Sequence, residues 1–186
     1  MVDDAQVTAW ALDAGRGDRD AAASFVRATQ QQVRRFLATL ISPAEADDLA
    51  QETYLRATRS LPSFAGRSSA RTWLLSIARR VAVDHVRAAT SRPRTVPMSD
   101  SYDAADPARS GFDRQVALER LVAGLPADRR EAFVATQVLG LSYAEAAEVC
   151  GCPVGTIRSR VARAREDLVA AVNARPGPRT RGGAAG

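Results

Sequence analysis

Lysine is missing from this 186-residue chain: all 26 of its strongly basic side chains are arginine. That bias fits a G+C-rich coding sequence at least as well as any functional demand, so placement, not residue type, has to carry the argument. Cysteine and histidine are nearly absent too, with only Cys150, Cys152 and His85. A lone C-x-C offers two ligands where structural zinc wants four, so no metal site is expected and the pair reads as small packing residues. Two neighbouring thiols are no disulfide framework either. Aromatics make up only 5% of the chain, and alanine is abundant, which suggests helices packed through small side chains. No run reaches the ~18 apolar residues of a membrane span. The N-terminus, Met-Val-Asp-Asp-Ala-Gln, lacks the basic-then-apolar order of a signal peptide. A soluble, cytoplasmic protein is expected.

What is present is a divided positive charge. Residues 64–95 hold seven arginines against one acid, Asp84, and residues 158–186 hold seven against Glu166 and Asp167. The stretches 1–63 and 96–157 are both net acidic. Two basic blocks so far apart in sequence suggest two contacts with a polyanion.

Apolar periodicity near 3.6 runs through the chain and no strand pattern appears, so the fold is all-α. Helices are predicted at about 5–14, 19–40, 43–60, 69–89, 115–123, 127–139, 142–149 and 153–172. Between residues 90 and 114 the composition shifts to proline and small polar residues, as in an extended linker. The organisation read from this is a domain over 1–90, a flexible linker over 91–114, a second small helical domain over 115–172, and a disordered tail over 173–186.

Residues 142–165 are the most telling stretch. Ser142 and Glu145 form a capping-box pattern, Gly151 is a natural helix stop, and Pro153 is placed to open the next helix. This is the pattern of a helix-turn-helix, whose second helix lies in the DNA major groove. In that helix Ile157, Val161, Ala164 and Leu168 fall on one apolar stripe. Ser159, Ala162 and Arg163 point away from it, and Arg158 and Arg160 lie on the flanks. The outward face is small or basic, with no acid before Glu166, which suits phosphate and base contacts better than a solvated face of mixed charge.

The helix predicted at 43–60 opens with a second capping pattern, Ser42 and Glu45 around Pro43. Ala46, Ala50, Ala57 and Leu61 mark its buried stripe, and Glu45, Asp48 and Glu52 share the opposite face. On its own terms that acidic face reads as solvated, helped by the macrodipole and a Glu52–Arg56 pair. Asp47, Asp48 and Glu52 do not converge on one point, which argues against a metal-dependent nuclease. In the helix at 69–89, Trp73, Leu74, Ile77, Ala78 and Val81 form the core stripe. Ser76, Arg80, Val83 and Arg87 make a polar and basic stripe beside it, with Arg79 nearby. The preceding loop, Phe64-Ala-Gly-Arg-Ser-Ser, could serve a displaced single strand, though Phe64 and Trp73 read as core residues.

Ala46-Asp-Asp-Leu-Ala-Gln-Glu-Thr-Tyr-Leu-Arg56, Thr-Trp-Leu-Leu-Ser-Ile-Ala-Arg at 72–79, Leu-Pro at 125–126 and the closing helix-turn-helix together resemble an extracytoplasmic-function (group IV) sigma factor of bacterial RNA polymerase. The detail around Ser68–Leu75 and Val149–Arg160 is similar to the sigma-C-type subgroup. The resemblance implies a chain without an active site or cofactor, whose partners are core polymerase (β′ clamp helices and β subunit) and promoter DNA, with an anti-sigma factor as a candidate regulator. It implies polymerase contacts at Asp47, Asp48, Leu49, Gln51 and Glu52. It implies −10 contacts at Phe64, Arg67, Ser68, Ser69, Ser76, Arg79, Arg80, Val83 and Arg87, and −35 contacts at Thr156, Arg158, Ser159, Arg160, Arg163 and Arg165. Two positions depart from the family: Arg80 stands where many members carry Asn, and Ala162 where a larger side chain is common. The competing reading is a stand-alone helix-turn-helix regulator, which would need neither the acidic helix nor the 64–69 loop.

Overall fold

The computed structural model describes the backbone of residues 2–91 and 112–174 and the side chains of 2–90 and 116–174. Among them every regular element is helical: α1 (Asp4–Gly15), α2 (Arg19–Leu40), α3 (Ala46–Ser60), a 3-10 turn (Leu61–Ser63), α4 (Ala70–Ser91), α5 (Phe112–Ala123), α6 (Ala127–Phe133), a π turn (Val134–Val138), α7 (Tyr143–Cys150) and α8 (Val154–Asn173). No described helix is long and apolar enough to cross a membrane.

Local chemistry sets most of these boundaries. Asp18 opens α2 by accepting from the amides of Asp20 (2.9 Å) and Ala21 (3.0 Å). Phe25, Thr29, Val33, Phe36 and Leu37 then recur at helical spacing and are buried. The Ser142–Glu145 capping box forms in full, and Gly151 closes α7 with φ +62°.

Several boundaries differ from the sequence reading. Ser42 and Glu45 do bond, with the Glu45 amide 3.3 Å from the Ser42 Oγ, but residues 43–45 form a turn and α3 begins at Ala46. Its buried stripe is Ala46, Leu49, Thr53 and Ala57, and Ala50 is only half-buried, because the bulkier Leu49 defines the inward face. The helix predicted at 127–139 splits at Val134, where the Leu139 amide bonds back to the Val134 carbonyl (2.9 Å), five residues away. Pro153 caps α8 from outside with an extended backbone and does not lie inside its first turn. The predicted linker and tail lie outside the described residues except at their edges, where α4 runs on to Ser91, α5 begins at Phe112 and α8 ends at Asn173.

The two halves share a core. One continuous cluster joins Phe25, Phe36 and Leu74 of the first half to Val134, Ala146 and Ile157 of the second. Among the described residues, polar contacts also cross the seam. Gln32 Nε2 donates to the Leu139 carbonyl (3.4 Å), Thr72 Oγ1 donates to Glu145 (3.4 Å), and the Arg79 guanidinium pairs with the Glu131 carboxylate. The two helical halves that the sequence suggested lie against one another through this shared cluster.

Candidate nucleic-acid and polymerase interface

The helix-turn-helix presents its second helix as the periodicity predicted. Ile157, Val161 and Ala164 are buried, while Arg158, Ser159, Ala162 and Arg163 are exposed. Arg158 and Arg163 make no hydrogen bond or ion pair with any described residue. Arg165 is exposed and donates to Gln137 Oε1 (2.9 Å), and the Ser159 hydroxyl donates to the Thr156 carbonyl (2.9 Å). Thr156 is half-buried. Arg160, on the flank of the helix, is half-buried. Its guanidinium turns towards α6, with Nε 3.3 Å from Asp128 Oδ2 and Nη1 3.8 Å from Cys152 Sγ. Asp128 is an acid on a neighbouring helix, and nothing in the local pattern of α8 announces it.

The basic stripe of α4 is treated differently. Arg80 and Arg87 are exposed, and Ser76 and Val83 are half-buried, with the Ser76 hydroxyl donating to the Thr72 carbonyl (2.9 Å). Arg79 is turned into the seam against Glu131, a carboxylate in a residue only 8% exposed. Burial raises the Glu131 carboxyl above its ordinary pKa, and the guanidiniums of Arg79 and Arg160 offset part of that rise. Burial also works against the Arg79 charge, but the Glu131 carboxylate outweighs it and holds the guanidinium protonated. A Cβ added to Gly151 would lie 4.0 Å from Arg79 Nη1, so the cation also stands at the C-terminal end of α7, where the helix dipole favours it. The pair therefore locks Arg79 away from the outward surface in this arrangement.

The 64–69 loop sits directly before α4. The Phe64 and Trp73 rings meet at 4.8 Å with an interplanar angle of 39°, so Phe64 is an anchor of the loop and not a free stacking platform. Arg67 is exposed and Ser68 half-buried. Ser69 is engaged: its Oγ accepts from the Thr72 amide (3.1 Å) and donates to Thr72 Oγ1 (2.9 Å), which makes it the cap of α4. Its hydroxyl is not free for a nucleic acid in this form.

On α3, Asp48 and Gln51 are exposed, and Glu52 is half-buried and bonded to Arg56, which also reaches Asp84 (2.6 Å). Asp47 pairs with Arg34 across the α2–α3 groove at 2.6 Å, both side chains largely in water. Leu49 corrects the sequence reading: it is 8% exposed and belongs to the core, because its position falls on the stripe of Ala46 and Thr53. Beside Asp47 and Gln51 lies an open cleft of about 550 Å³, lined further by Arg27, Gln30 and Arg34. No group of three His, Cys, Asp or Glu side chains among the described residues is placed to hold a metal ion. Cys150 is buried, and that burial pushes its thiol up to about 12, so it stays protonated at neutral pH.

Comparison with known proteins agrees with the geometry of both halves. The family model for Sigma-70 region 2 matches residues 25–92, and that for Sigma-70, region 4 matches residues 115–168. The chain is 55% identical over 170 residues to the ECF RNA polymerase sigma factor SigC of Mycobacterium tuberculosis (strain CDC 1551 / Oshkosh), covering 90% of this chain and 92% of that protein. It is 34% identical over 164 residues to the ECF RNA polymerase sigma-E factor of Haemophilus influenzae (strain ATCC 51907 / DSM 11121 / KW20 / Rd), covering 81% and 87%. Among solved structures, CnrH in complex with the cytosolic domain of CnrY shares the fold with a TM-score of 0.72 at 23% identity, over 92% of this chain and 99% of that one. The sigma factor RpoE in complex with the anti-sigma factor NepR from Bartonella quintana gives a TM-score of 0.63 at 26% identity, over 83% and 98%. A region 2 match over 25–92 disfavours a stand-alone helix-turn-helix regulator. The chain belongs to the sigma-70 family of transcription initiation factors, in its extracytoplasmic-function branch and of sigma-C type.

Proposed function

We propose that this chain recruits core polymerase through the α2–α3 surface, reads duplex −35 DNA with α8, and holds the melted −10 strand with the 64–69 loop and α4. The observation that carries this reading is the open face of α8. Arg158, Ser159 and Arg163 are exposed on a helix-turn-helix whose inward residues Ile157, Val161 and Ala164 are buried in packing. On α3, Asp48 and Gln51 supply exposed polar contacts for the β′ clamp helices, with Asp47 and Glu52 beside them. Leu49 contributes by fixing the helix and not by contact. Arg67, Arg80 and Arg87 meet backbone phosphates of the opened strand, and Arg79 joins them once released from Glu131. Catalysis belongs to the polymerase, and the place of action is the cytoplasm.

The two promoter elements lie about 25 base pairs apart, about 85 Å at 3.4 Å per pair. The Arg79–Glu131 pair and the shared core hold α4 and the helix-turn-helix far closer than that. The halves therefore part on the promoter. The 20 residues from 92 to 111 can span at most about 70 Å when fully extended. Affinity for free DNA is low, because each half offers few phosphate contacts and tethering to polymerase supplies effective concentration.

Run-off transcription with purified core polymerase and a genomic promoter library tests the reading: a specific set of transcripts is expected, and their complete absence refutes it. Asp48→Arg combined with Glu52→Arg abolishes co-elution with core polymerase while leaving the helical circular dichroism intact. Co-elution of that variant removes α3 from the interface.

A further inference from the structure

Helix α1 precedes the segment matched by the region 2 family model, which begins at residue 25. Helix α1 takes no part in the polymerase and promoter contacts proposed for this chain. Its contacts, however, gather at the loop between α3 and α4.

Four of them come from different parts of the helix. The Thr8 hydroxyl accepts the backbone amide of Ala70 (3.1 Å) while donating to the Asp4 carbonyl (2.8 Å). Ala70 opens α4, so its amide is one of the donors that a helix start leaves without an intrahelical partner. A residue 62 positions upstream supplies what a local cap normally supplies. Ser69 caps the Thr72 amide, so the first turn of α4 is held from both sides. Asp4 extends the contact by pairing with Arg71 in the same turn at 3.0 Å.

The loop itself rests on the other end of α1. Gly66 has φ +65°, a left-handed conformation, and a Cβ placed there would lie 3.6 Å from both methyl carbons of Leu12. Leu12 thus forms the floor beneath the tightest point of the loop. Gly15 lies so close to the 3-10 turn leading into the loop that an added Cβ would fall 2.5 Å from the Leu61 carbonyl oxygen. That carbonyl also accepts the Phe64 amide (3.0 Å), which sets the loop's first residue. Val7 and Ala11, fully buried, fasten α1 to the body between these points.

We infer that α1 is a positioning element for promoter opening: Thr8 fixes the first turn of α4 and Leu12 supports the loop at Gly66, presenting loop and helix to the unpaired strand in one preformed geometry. The inference rests on the reading that residues 64–69 meet the −10 strand. Preforming the loop removes an ordering cost that would otherwise oppose strand capture.

Thr8→Val keeps the side-chain shape and removes the acceptor, and Thr8→Ser restores it. Leu12→Ala tests the floor independently of the cap. Two measurements are made on each full-length variant: amide hydrogen exchange over residues 64–72 in the free protein, and permanganate reactivity of −10 thymines in holoenzyme on a promoter taken from the run-off screen. In Thr8→Val, exchange at Ala70 rises about five- to tenfold, as expected for a lost cap, and the permanganate signal falls several-fold. Core-polymerase affinity stays unchanged, and Thr8→Ser recovers both readouts. Leu12→Ala shows the same pattern centred on Gly66. Unaltered exchange in both variants overturns the inference, because α1 then does not hold the loop. Faster exchange with unchanged promoter opening overturns it too, but places the fault in the −10 assignment of the loop. A matching loss of core affinity overturns it in favour of a merely structural role.

Discussion

Helices α4 and α8 are close counterparts. They span 22 and 20 residues, each buries an apolar stripe, and each carries arginines beside it. Their arginines nevertheless meet different surroundings. On α8, Arg158 and Arg163 face water, whereas on α4 Arg79 is folded into the seam against Glu131. Arg160 behaves like Arg79, held by Asp128 from the same short helix α6. Helix α6 therefore supplies the acids that occupy one arginine from each of these two helices. The lesson is that an arginine's availability is set by where the nearest carboxylate lands in three dimensions, and not by the composition of its own helix.

The strongest way to break the comparison is to remove that carboxylate. Glu131→Ala leaves the guanidinium of Arg79 in the seam without its partner, a loss at the low end of ~3–5 kcal/mol for a buried pair. Arg79 is already partly open to solvent, and it becomes fully hydrated when the halves part. The variant is expected to unfold at lower denaturant concentration and to show an increased radius of gyration in solution scattering. An unchanged radius together with unchanged stability would show that Glu131 does not hold the halves together.

A smaller effect separates the two kinds of arginine within α8. Arg158→Ala weakens binding of the isolated −35 duplex by roughly 1–3 kcal/mol if its guanidinium makes a bidentate base contact. Arg160→Ala, whose side chain is already occupied by Asp128, weakens it less. Equal losses in a duplex titration would mean that Arg160 leaves Asp128 on binding, and that α8 resembles α4 more closely than its exposed face suggests.

The smallest effect concerns the cap of α7. Ser142→Ala removes the hydroxyl half of the Ser142–Glu145 box, leaving the backbone amide bond to the Glu145 carboxylate, and costs about 1 kcal/mol. The same box carries a pH signature. Burial pushes the Glu145 carboxyl up, but hydrogen bonds from the Ser142 amide and hydroxyl and from Thr72, with the nearby Arg71 charge, outweigh it and leave the pKa below its ordinary 4.5. The stabilisation is thus fully present above 4.5 and is lost as pH falls through the lower folded value. Acid titration followed by thermal melting should show this loss in the parent and a shallower one in Ser142→Ala. Parallel curves would remove Glu145 as the source.

Much of the chain is legible without coordinates because its signals are local. The Ser142–Glu145 box, the left-handed Gly151 and the Ile157–Val161–Ala164 stripe each depend on residues within a turn or two of one another. Leu49 shows the limit of that reading. A motif resemblance placed it among surface contacts, but the helix face on which it falls is decided by where α3 packs, and it is buried. Ser69 shows another limit, since a hydroxyl in a loop looks the same whether it is free or capping the next helix. Thr8 escaped notice altogether: one threonine in an N-terminal helix carries no mark of the Ala70 amide 62 residues away.

The sequence by itself determined the helical fold, the helix-turn-helix, the outward face of α8 and the two basic blocks, because periodicity, capping chemistry and charge are properties of neighbouring residues. Tertiary structure alone decided that the two halves share a core, that Glu131 and Asp128 occupy Arg79 and Arg160, and that α1 reaches the start of α4. Those outcomes depend on contacts between distant segments, whose geometry is fixed only when the apolar stripes of separate helices are buried together.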